Sequence, residues 1–160
     1  MTIRLCKTVL VSAIAVFFAL VAFGNVTDYG TNQAFVQHVL AMDSIFPGST
    51  LTSRAITDPL LVTGAYLMII AWEAATAAVL LYAVVRMAGA WRRPDRFAAA
   101  RAVAVLGLTM GLLLYGFGFI VVGGEWFAMW QSRDWNGVPS ASRFIELIGL
   151  TLLIVMMPEA

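Results

Sequence analysis

Charged residues are scarce in this chain of 160 residues. Asp, Glu, Lys and Arg make up 12% of it, whereas hydrophobic residues make up 61% and the mean hydropathy is +0.88. Soluble domains are about half apolar and about a quarter charged, so this chain lacks the polar side chains that would cover a surface in water. The composition argues against a soluble enzyme, a nucleic-acid-binding protein and a disordered segment, and it places the chain in a lipid bilayer.

Cysteine and histidine are almost absent as well. Because Cys6 is the single cysteine, one chain cannot form an internal disulfide, a CxxC redox pair or a cysteine metal cluster. Because His38 is the single histidine, one chain cannot supply two histidine ligands to a haem or build a multi-histidine metal site. We therefore expect no metal and no cofactor, and no residue pattern indicates a catalytic group.

Four apolar runs are present, over residues 8–24, 59–85, 98–122 and 144–157. A bilayer core needs about 20 helical residues, within a range of about 17 to 25. The second and third runs reach that length, whereas the first and last are expected to recruit flanking residues or to lie where the bilayer is thin. The sequence thus predicts one all-α polytopic membrane domain over 1–160, with four transmembrane helices and outer loops at 25–58 and 123–143.

The first apolar run has a second interpretation. Residues 1–24 resemble a signal peptide, since a basic start and an apolar run precede the small-x-small triplet Ala22-Phe23-Gly24. We interpret the segment as the first transmembrane helix.

Basic residues gather on one side of the predicted helices. Arg4 and Lys7 precede the first run, and five arginines surround the turn between the second and third runs: Arg86, Arg92, Arg93, Arg96 and Arg101. Loops rich in Lys and Arg stay in the cytoplasm, so both termini are predicted to be cytoplasmic.

The first outer loop contains a predicted amphipathic helix over 31–43. Phe35, Val39 and Met42 recur there with helical spacing, and polar residues occupy the other positions. The triplet Phe46-Pro47-Gly48 is expected to end the helix. Such a helix would lie on the membrane surface or cover the mouth of the bundle.

Tryptophans are concentrated in the second outer loop. Trp126 and Trp130 are four residues apart and are predicted to share one face of a helical turn. One interpretation is an aromatic belt, since indoles prefer the headgroup level. The other is a docking surface for a partner or a lipid, with these candidates: Trp126, Trp130, Trp135, Phe35 and His38. For His38 the alternatives are simple solvation, pairing with Asp43 or Asp28, a metal shared with Glu125, and a pH switch.

Glu73 is the most informative residue, because it lies near the middle of the second apolar run. An ionised carboxylate is costly there, so the acid is expected to be neutral, paired or hydrated. Helical spacing places Tyr66 and Thr76 on its face, and Ser12 and Thr109 fall at about the same depth on neighbouring helices. Three interpretations stay open: a polar layer that joins the helices, a site for a proton, quinone or other small ligand, and a pair with a basic group of another subunit.

Two further patterns concern the helices themselves. Glu146 is predicted to lie one turn into the fourth helix, where an ion pair with Arg143 near the interface accounts for it. Small residues, which permit close helix approach in lipid, form a line on the second helix and another on the third, and the two lines are expected to face each other. These residues are Gly64, Ala71, Ala75 and Ala78, then Ala100, Ala104, Gly107, Gly111 and Gly118.

Both loops and the second apolar run contain distinctive motifs. They are Asn25-x-x-Asp28-Tyr29-x-x-Asn32-x-x-Phe35-Val36-x-His38-Val39-x-x-Met42-Asp43, Trp72-Glu73, Gly124-Glu125-Trp126-Phe127-x-Met129-Trp130-Gln131 and Trp135-Asn136-Gly137. With these motifs the chain resembles a bacterial family described only as predicted small integral membrane proteins of unknown function. The resemblance implies a four-span protein of the bacterial inner membrane, and it implies no activity, cofactor or catalytic residue.

Several functions fit these features. We expect a non-catalytic accessory or assembly subunit of a larger bacterial inner-membrane complex, such as a respiratory one, because the chain is small and lacks a catalytic constellation. The alternative is a stand-alone binding or transport module that uses Glu73 as a buried proton- or ligand-binding acid. An enzyme acting on a lipid or quinone would need Glu73 or His38 as its acid or base. The expected partners are the lipid bilayer and other membrane subunits, not nucleic acid.

Overall fold

Five helices account for most of the chain in the computed structural model, which describes residues 2–158. The predicted domain of residues 1–160 therefore reaches beyond the described residues at both ends. One helix, α4, continues without a break as a π-helix over Leu113–Trp126, the π segment, and short 3-10 turns occur at Thr50–Arg54 and Met129–Gln131. The five helices are α1 (Thr2–Thr27), α2 (Tyr29–Ala41), α3 (Pro59–Ala88), α4 (Pro94–Leu112) and α5 (Val138–Met156).

Four of these helices are long and apolar enough to span a membrane: α1, α3, α4 with the π segment, and α5. This confirms the all-helical fold with four candidate spans. The helices are longer than the apolar runs that predicted them. Flanking residues extend α1 to 26 residues, and α5 begins at Val138 rather than near residue 144.

Local capping explains where two of the spans begin. The Asp58 carboxylate accepts hydrogen bonds from the backbone N–H groups of Leu60 at 2.8 Å and Leu61 at 3.1 Å, and Pro59 occupies the first helical position of α3. At the start of α5 the N-cap is Gly137, and the side-chain oxygen of Asn136 just before it accepts from the backbone N–H of Val138 at 3.1 Å. The apolar run begins later than α5 does, because the first turns of α5 contain polar residues.

The basic residues do gather at one end of the bundle, which we call the basic end. A guanidinium nitrogen of Arg4 in α1 donates to the carbonyl of Trp91 in the α3–α4 turn at 2.9 Å. Lys7 and Arg101 donate to the carbonyl of Met157, at 2.5 and 3.2 Å. The start of α1, the arginine-rich turn and the end of α5 therefore meet at the same end of the molecule.

The two long loops meet at the opposite end, which we call the loop end. A helix is present in the first loop, but it covers Tyr29–Ala41 and ends where Met42 adopts a left-handed conformation, before the Phe46-Pro47-Gly48 triplet. Gln33 of α2 donates to the hydroxyl of Thr63 on α3 at 3.2 Å. The Ser44 and Ser132 hydroxyls, 2.8 Å apart, join the first loop to the second.

The predicted helical face shared by Trp126 and Trp130 is wrong. The π segment ends at Trp126, and Ala128 adopts a left-handed conformation with φ of 52° before a separate 3-10 turn begins. The chain therefore changes direction between the two indoles. Trp130 contacts Phe46 of the first loop instead, with ring centroids 5.7 Å apart.

The small residues of α3 and α4 do not face each other as expected. On α3, Gly64, Ala71, Ala75 and Ala78 are exposed. On α4 the glycines are buried, but each receives a large side chain: a Cβ at Gly107 would lie 2.6 Å from Leu80, and one at Gly111 would lie 2.8 Å from Phe18. Large side chains of α3 and α1 therefore fill the space that the α4 glycines leave open.

The predicted ion pair between Arg143 and Glu146 is wrong. Arg143 donates to the Ser140 hydroxyl at 3.1 Å instead of contacting Glu146. Because α5 begins at Val138, Glu146 is exposed near the middle of the helix rather than one turn into it.

Candidate functional site

A buried carboxyl group connects the two first transmembrane helices. Glu73 of α3 is only 2% exposed, and its Oε2 accepts a hydrogen bond of 2.6 Å from the side-chain amide of Asn25 on α1. A buried carboxyl without a donor is strongly unfavourable, so this bond stabilises the contact between the helices. Among residues 2–158, Asn25 is the one residue that donates to Glu73.

Tyr66 orients the asparagine that binds Glu73. Its hydroxyl donates to the backbone carbonyl of Asn25 at 2.8 Å and lies 3.4 Å from the side-chain carbonyl of the same residue. With its Oδ1 next to this hydroxyl, Asn25 presents its NH2 group to Glu73. Tyr66 itself is 1% exposed and meets the ring of Tyr29 edge-on at 4.9 Å. Three polar residues on two helices are therefore joined by hydrogen bonds: Tyr66, Asn25 and Glu73.

Glu73 lies nearer to the loop end than its sequence position indicates. It is near the middle of α3, yet its partner Asn25 is close to the C-terminal end of α1. This is possible because α3 begins beyond the end of α1 and is flanked there by α2. The carboxyl group therefore lies level with the end of the first apolar run, close to the polar loops.

A chamber of about 300 Å³ adjoins the Glu73 carboxyl group. All five helices or their extensions contribute to its wall, and polar side chains from α2 and the start of α5 line it together with Glu73. Its titratable groups are one carboxyl and two phenols, those of Tyr66 and Tyr115. The lining residues are Val21, Asn25, Asn32, Phe35, Val36, Tyr66, Ile69, Glu73, Tyr115, Phe119, Asn136, Gly137, Ser140, Ala141 and Phe144.

An apolar pocket of about 260 Å³ lies beside this chamber. Its wall contains no charged residue and includes Met68 of α3, Phe117 of the π segment and Met129 after it. Four residues line both spaces: Phe35, Val36, Ile69 and Phe119. The two spaces therefore adjoin, and the polar side chains are those of the chamber lining.

The predicted polar layer around Glu73 is wrong in two of its members. Ser12 donates to the carbonyl of Thr8 at 2.8 Å, and Thr109 is exposed and donates to the carbonyl of Val105 at 2.9 Å. Thr76 is buried, but it donates to the carbonyl of Trp72 and does not line the chamber. Each hydroxyl is satisfied by its own helix one turn earlier, so it has no need of a partner on another helix.

Sequence reasoning missed the residues that complete the site. Asn25 binds Glu73, and Asn32, Asn136 and Ser140 line the chamber. A signal for Asn25 was present, because it is the first polar side chain after the apolar run 8–24. An equal count of residues from the end of each helix does not place Asn25 beside Glu73. Such a count assumes that all helices end at the same depth, whereas α3 extends beyond α1.

The candidate docking residues separate into two groups. His38, Phe35 and Trp135 come together: the rings of His38 and Trp135 stack 4.3 Å apart, and Phe35 meets Trp135 edge-on at 6.2 Å. Nδ1 of His38 also lies 2.7 Å from a carboxylate oxygen of Asp43. Trp126 and Trp130 remain about half exposed, at 54% and 49%. Residues 2–158 contain no cluster of three or more His, Cys, Asp or Glu side chains suited to a metal ion.

Comparison with known proteins identifies the family. A family described as "Predicted small integral membrane protein (DUF2165)" matches residues 3–158, nearly the whole chain. No curated protein and no solved structure matches it. The match covers all four candidate spans as well as both long loops, including the Asn25 and Glu73 positions. The chain therefore belongs to this family of small integral membrane proteins.

Proposed function

We propose that this protein binds a small amphipathic molecule inside the membrane, with the polar end of the molecule at Glu73 and its apolar part in the adjoining pocket. The observation that carries the proposal is the position of the carboxyl group. One oxygen of Glu73 is held by Asn25, no residue in 2–158 donates to the other, and Glu73 lines the chamber. A ligand with a hydrogen-bond donor would bind this second oxygen of the Glu73 carboxyl group.

The polar lining favours a neutral or cationic head group over an anionic one. Asn32, Asn136 and Ser140 each make one or two hydrogen bonds within the chain and keep further donor and acceptor capacity, and no lysine or arginine lines the chamber. An anionic head would face the Glu73 carboxyl without a cation to balance it. The apolar pocket beyond Phe35 and Phe119 suits a hydrocarbon chain or ring.

A binding role requires no chemical step, and we propose no catalytic residue. The chamber holds one carboxyl and two phenols, without a nucleophile and base in the arrangement that acid–base or covalent catalysis uses. The Asn25 bond also holds Glu73 in one position, which suits recognition of a fixed group.

Three ligands of equal chain length test the proposal: decanol, decylamine and decanoate. We expect the purified protein in lipid nanodiscs to bind the alcohol and the amine, and to bind the carboxylate most weakly. Glu73→Gln keeps the shape of the side chain and removes its acid, so it should reduce the preference for the amine by about tenfold. Equilibrium dialysis with mass-spectrometric detection measures all three.

Thr109→Val is the matched control, because Thr109 is a polar residue of the same membrane region whose hydroxyl bonds its own helix. It should leave all three affinities unchanged. Equal binding of the three compounds by the wild type, or an unaltered preference in Glu73→Gln, would contradict the proposed role of the carboxyl group.

A second candidate function is that of an accessory subunit in a larger membrane complex. The observation that favours it is the exposed aromatic surface at the loop end, where Trp126, Trp130 and Phe46 are each about half exposed. Tryptophan side chains of this kind are enriched at protein interfaces. Purification in mild detergent should then yield a stoichiometric partner, and the combined Trp126→Ala and Trp130→Ala substitutions should release it.

A further inference from the structure

The apolar pocket beside the Glu73 chamber reaches the outside of the helix bundle. Two of its lining side chains are strongly exposed: Met68 of α3 at 67% and Phe117 of the π segment at 60%. Because these side chains both line the pocket and lie at the surface, the pocket opens between α3 and the π segment. We call this the lateral opening.

The opening exists because α3 separates from the π segment toward the loop end. α3 packs extensively against α4, where a Cβ at Gly107 would lie 2.6 Å from Leu80, but it contacts the π segment very little. At Gly118, which lines the pocket, a Cβ would have only Leu114 of its own segment within 4 Å, at 3.9 Å. No side chain of α3 therefore fills the space in front of this glycine.

Toward the loop end, the same pocket is closed by packed side chains. Val39 and Leu40 of α2 line it there with Phe127, and all three belong to an apolar cluster in which Phe127 is buried. The backbone N–H of Ile56 donates to the carbonyl of Leu40 at 2.8 Å, which holds the first loop against α2. A molecule dissolved in water at the loop end therefore meets this cluster instead of the pocket.

The lateral opening faces the hydrocarbon of the bilayer. With 30 residues, α3 is about 45 Å long at about 1.5 Å per residue, whereas the hydrocarbon core is about 30 Å thick. Met68 is about 14 Å from the start of α3, so it lies within the hydrocarbon when the excess length is shared between the two ends. The exposed residues on either side of it are also apolar, with Leu61 and Leu67 before it and Trp72 after it. Lipid chains therefore border the opening.

We propose that the ligand is a phosphate-free amphiphile dissolved in the bilayer, whose hydrocarbon chain enters through the lateral opening and lies in the pocket. This inference rests on the proposed function and adds to it the class of ligand and its route. Ile69 lines both spaces and lies one turn before Glu73 on α3, so a chain in the pocket is adjacent to a head group at Glu73. A phosphate head is disfavoured, because no cation in the chamber lining would balance it beside the carboxyl group.

The size of the pocket suits a hydrocarbon chain. Its volume is about 260 Å³. A dry apolar cavity of about 150 Å³ is already large enough to bind benzene. The pocket therefore has room for several methylene groups.

Photochemical cross-linking tests where the chain lies. Decylamine with a diazirine at the far end of its chain is added to the protein in nanodiscs, and the labelled residues are identified by tandem mass spectrometry. We expect labelling at Met68 and Phe117 that excess decylamine abolishes. Leu20 of α1 is the control, since it is 64% exposed and does not line the pocket, so its labelling by bulk ligand should not be competed.

Two results of this experiment would overturn the lateral opening. Labelling at Met68 and Phe117 that excess decylamine leaves unchanged would show contact with bulk ligand only. Absence of labelling at both residues would place the chain elsewhere. Neither result touches the head-group preference measured with Glu73→Gln, so the proposed function is tested separately.

A leucine in the opening tests its role in binding. Gly118→Leu places a side chain in the pocket, whereas Gly116→Leu makes the same change in the same segment at a position that does not line it. We expect Gly118→Leu to weaken decylamine binding by about tenfold, which corresponds to about two buried methylene groups, and Gly116→Leu to leave it unchanged. Equilibrium dialysis measures both. Equal affinities of the two variants would show that the opening does not hold the chain.

Discussion

At the scale of single residues, polar groups in the spans differ in where they find their partners. Ser12, Thr76 and Thr109 donate to backbone carbonyls of their own helices, so their positions place no constraint on packing. A buried carboxyl group finds no donor within a helix, because every backbone N–H there is already used. Glu73 must therefore reach Asn25 on another helix, and this requirement links α3 to α1.

Removing the donor should destabilise the protein. Asn25→Ala leaves the buried Glu73 carboxyl without its hydrogen bond, and we expect the free energy of unfolding to fall by about 1–3 kcal/mol. Adding Glu73→Leu should recover part of the loss, since the buried carboxyl group that lacks a donor is then gone. Reversible unfolding in mixed micelles measures the change. A loss no larger than that of Thr109→Val would show that the bond contributes nothing.

At the scale of helices, the close contacts join large side chains to glycines. Leu80 of α3 and Phe18 of α1 occupy the surfaces of Gly107 and Gly111 on α4. In lipid, such contacts stabilise helix association through van der Waals packing, because the hydrophobic effect contributes little there. The small residues of the predicted α3 line face outward, where they have no role in this contact: Gly64, Ala71, Ala75 and Ala78.

A single methyl group at this contact should therefore be costly. Gly107→Ala places a Cβ 2.6 Å from a terminal carbon of Leu80, so we expect a loss of about 1–3 kcal/mol in the free energy of unfolding. Leu80→Val in the same chain should relieve part of it. Gly64→Ala is the control, since a Cβ there meets nothing within 4 Å and alanine favours the helix. Similar losses for both glycines would refute this packing.

At the scale of the whole molecule, the two ends differ in charge and chemistry. The arginine-rich α3–α4 turn and the start of α1 occupy the basic end, whereas Trp126 and Trp130, the His38–Asp43 pair and the Glu73 chamber lie toward the loop end. This polarity gives the molecule a defined direction in the membrane. A ligand that enters the chamber would approach from the side of the loop end.

The positive-inside rule predicts that the basic end faces the cytoplasm and the loop end faces the other side of the membrane. In a Cys6→Ser background, Ser53→Cys in the first loop should react with a membrane-impermeant maleimide that is added to intact cells whose outer envelope admits the reagent. Arg93→Cys should react only after the membrane is opened. The opposite labelling pattern would reverse the orientation and place the Glu73 chamber on the cytoplasmic side.

Much of the fold and part of the site were predictable. The lengths of the apolar runs predicted four spans. The position of an acid inside the second run identified Glu73 as a candidate site residue. Tyr66 was also predicted from its spacing, but its link to Glu73 passes through Asn25. The contribution of Asn32, Asn136 and Ser140 depends on how far α2 and α5 extend beside the other helices, which apolar run length does not specify.

The sequence by itself determined that this protein lies in lipid rather than in water, that its fold is helical, how many candidate spans it has and that its two ends differ in charge. These properties follow from composition and order along the chain, because a segment that crosses lipid must satisfy its backbone hydrogen bonds internally, as a long apolar helix does. Tertiary structure alone decided which polar groups meet. It moved Glu73 to the level of Asn25 and left Glu146 exposed near the middle of α5, because the start of each helix and the rotation of its faces depend on contacts between helices.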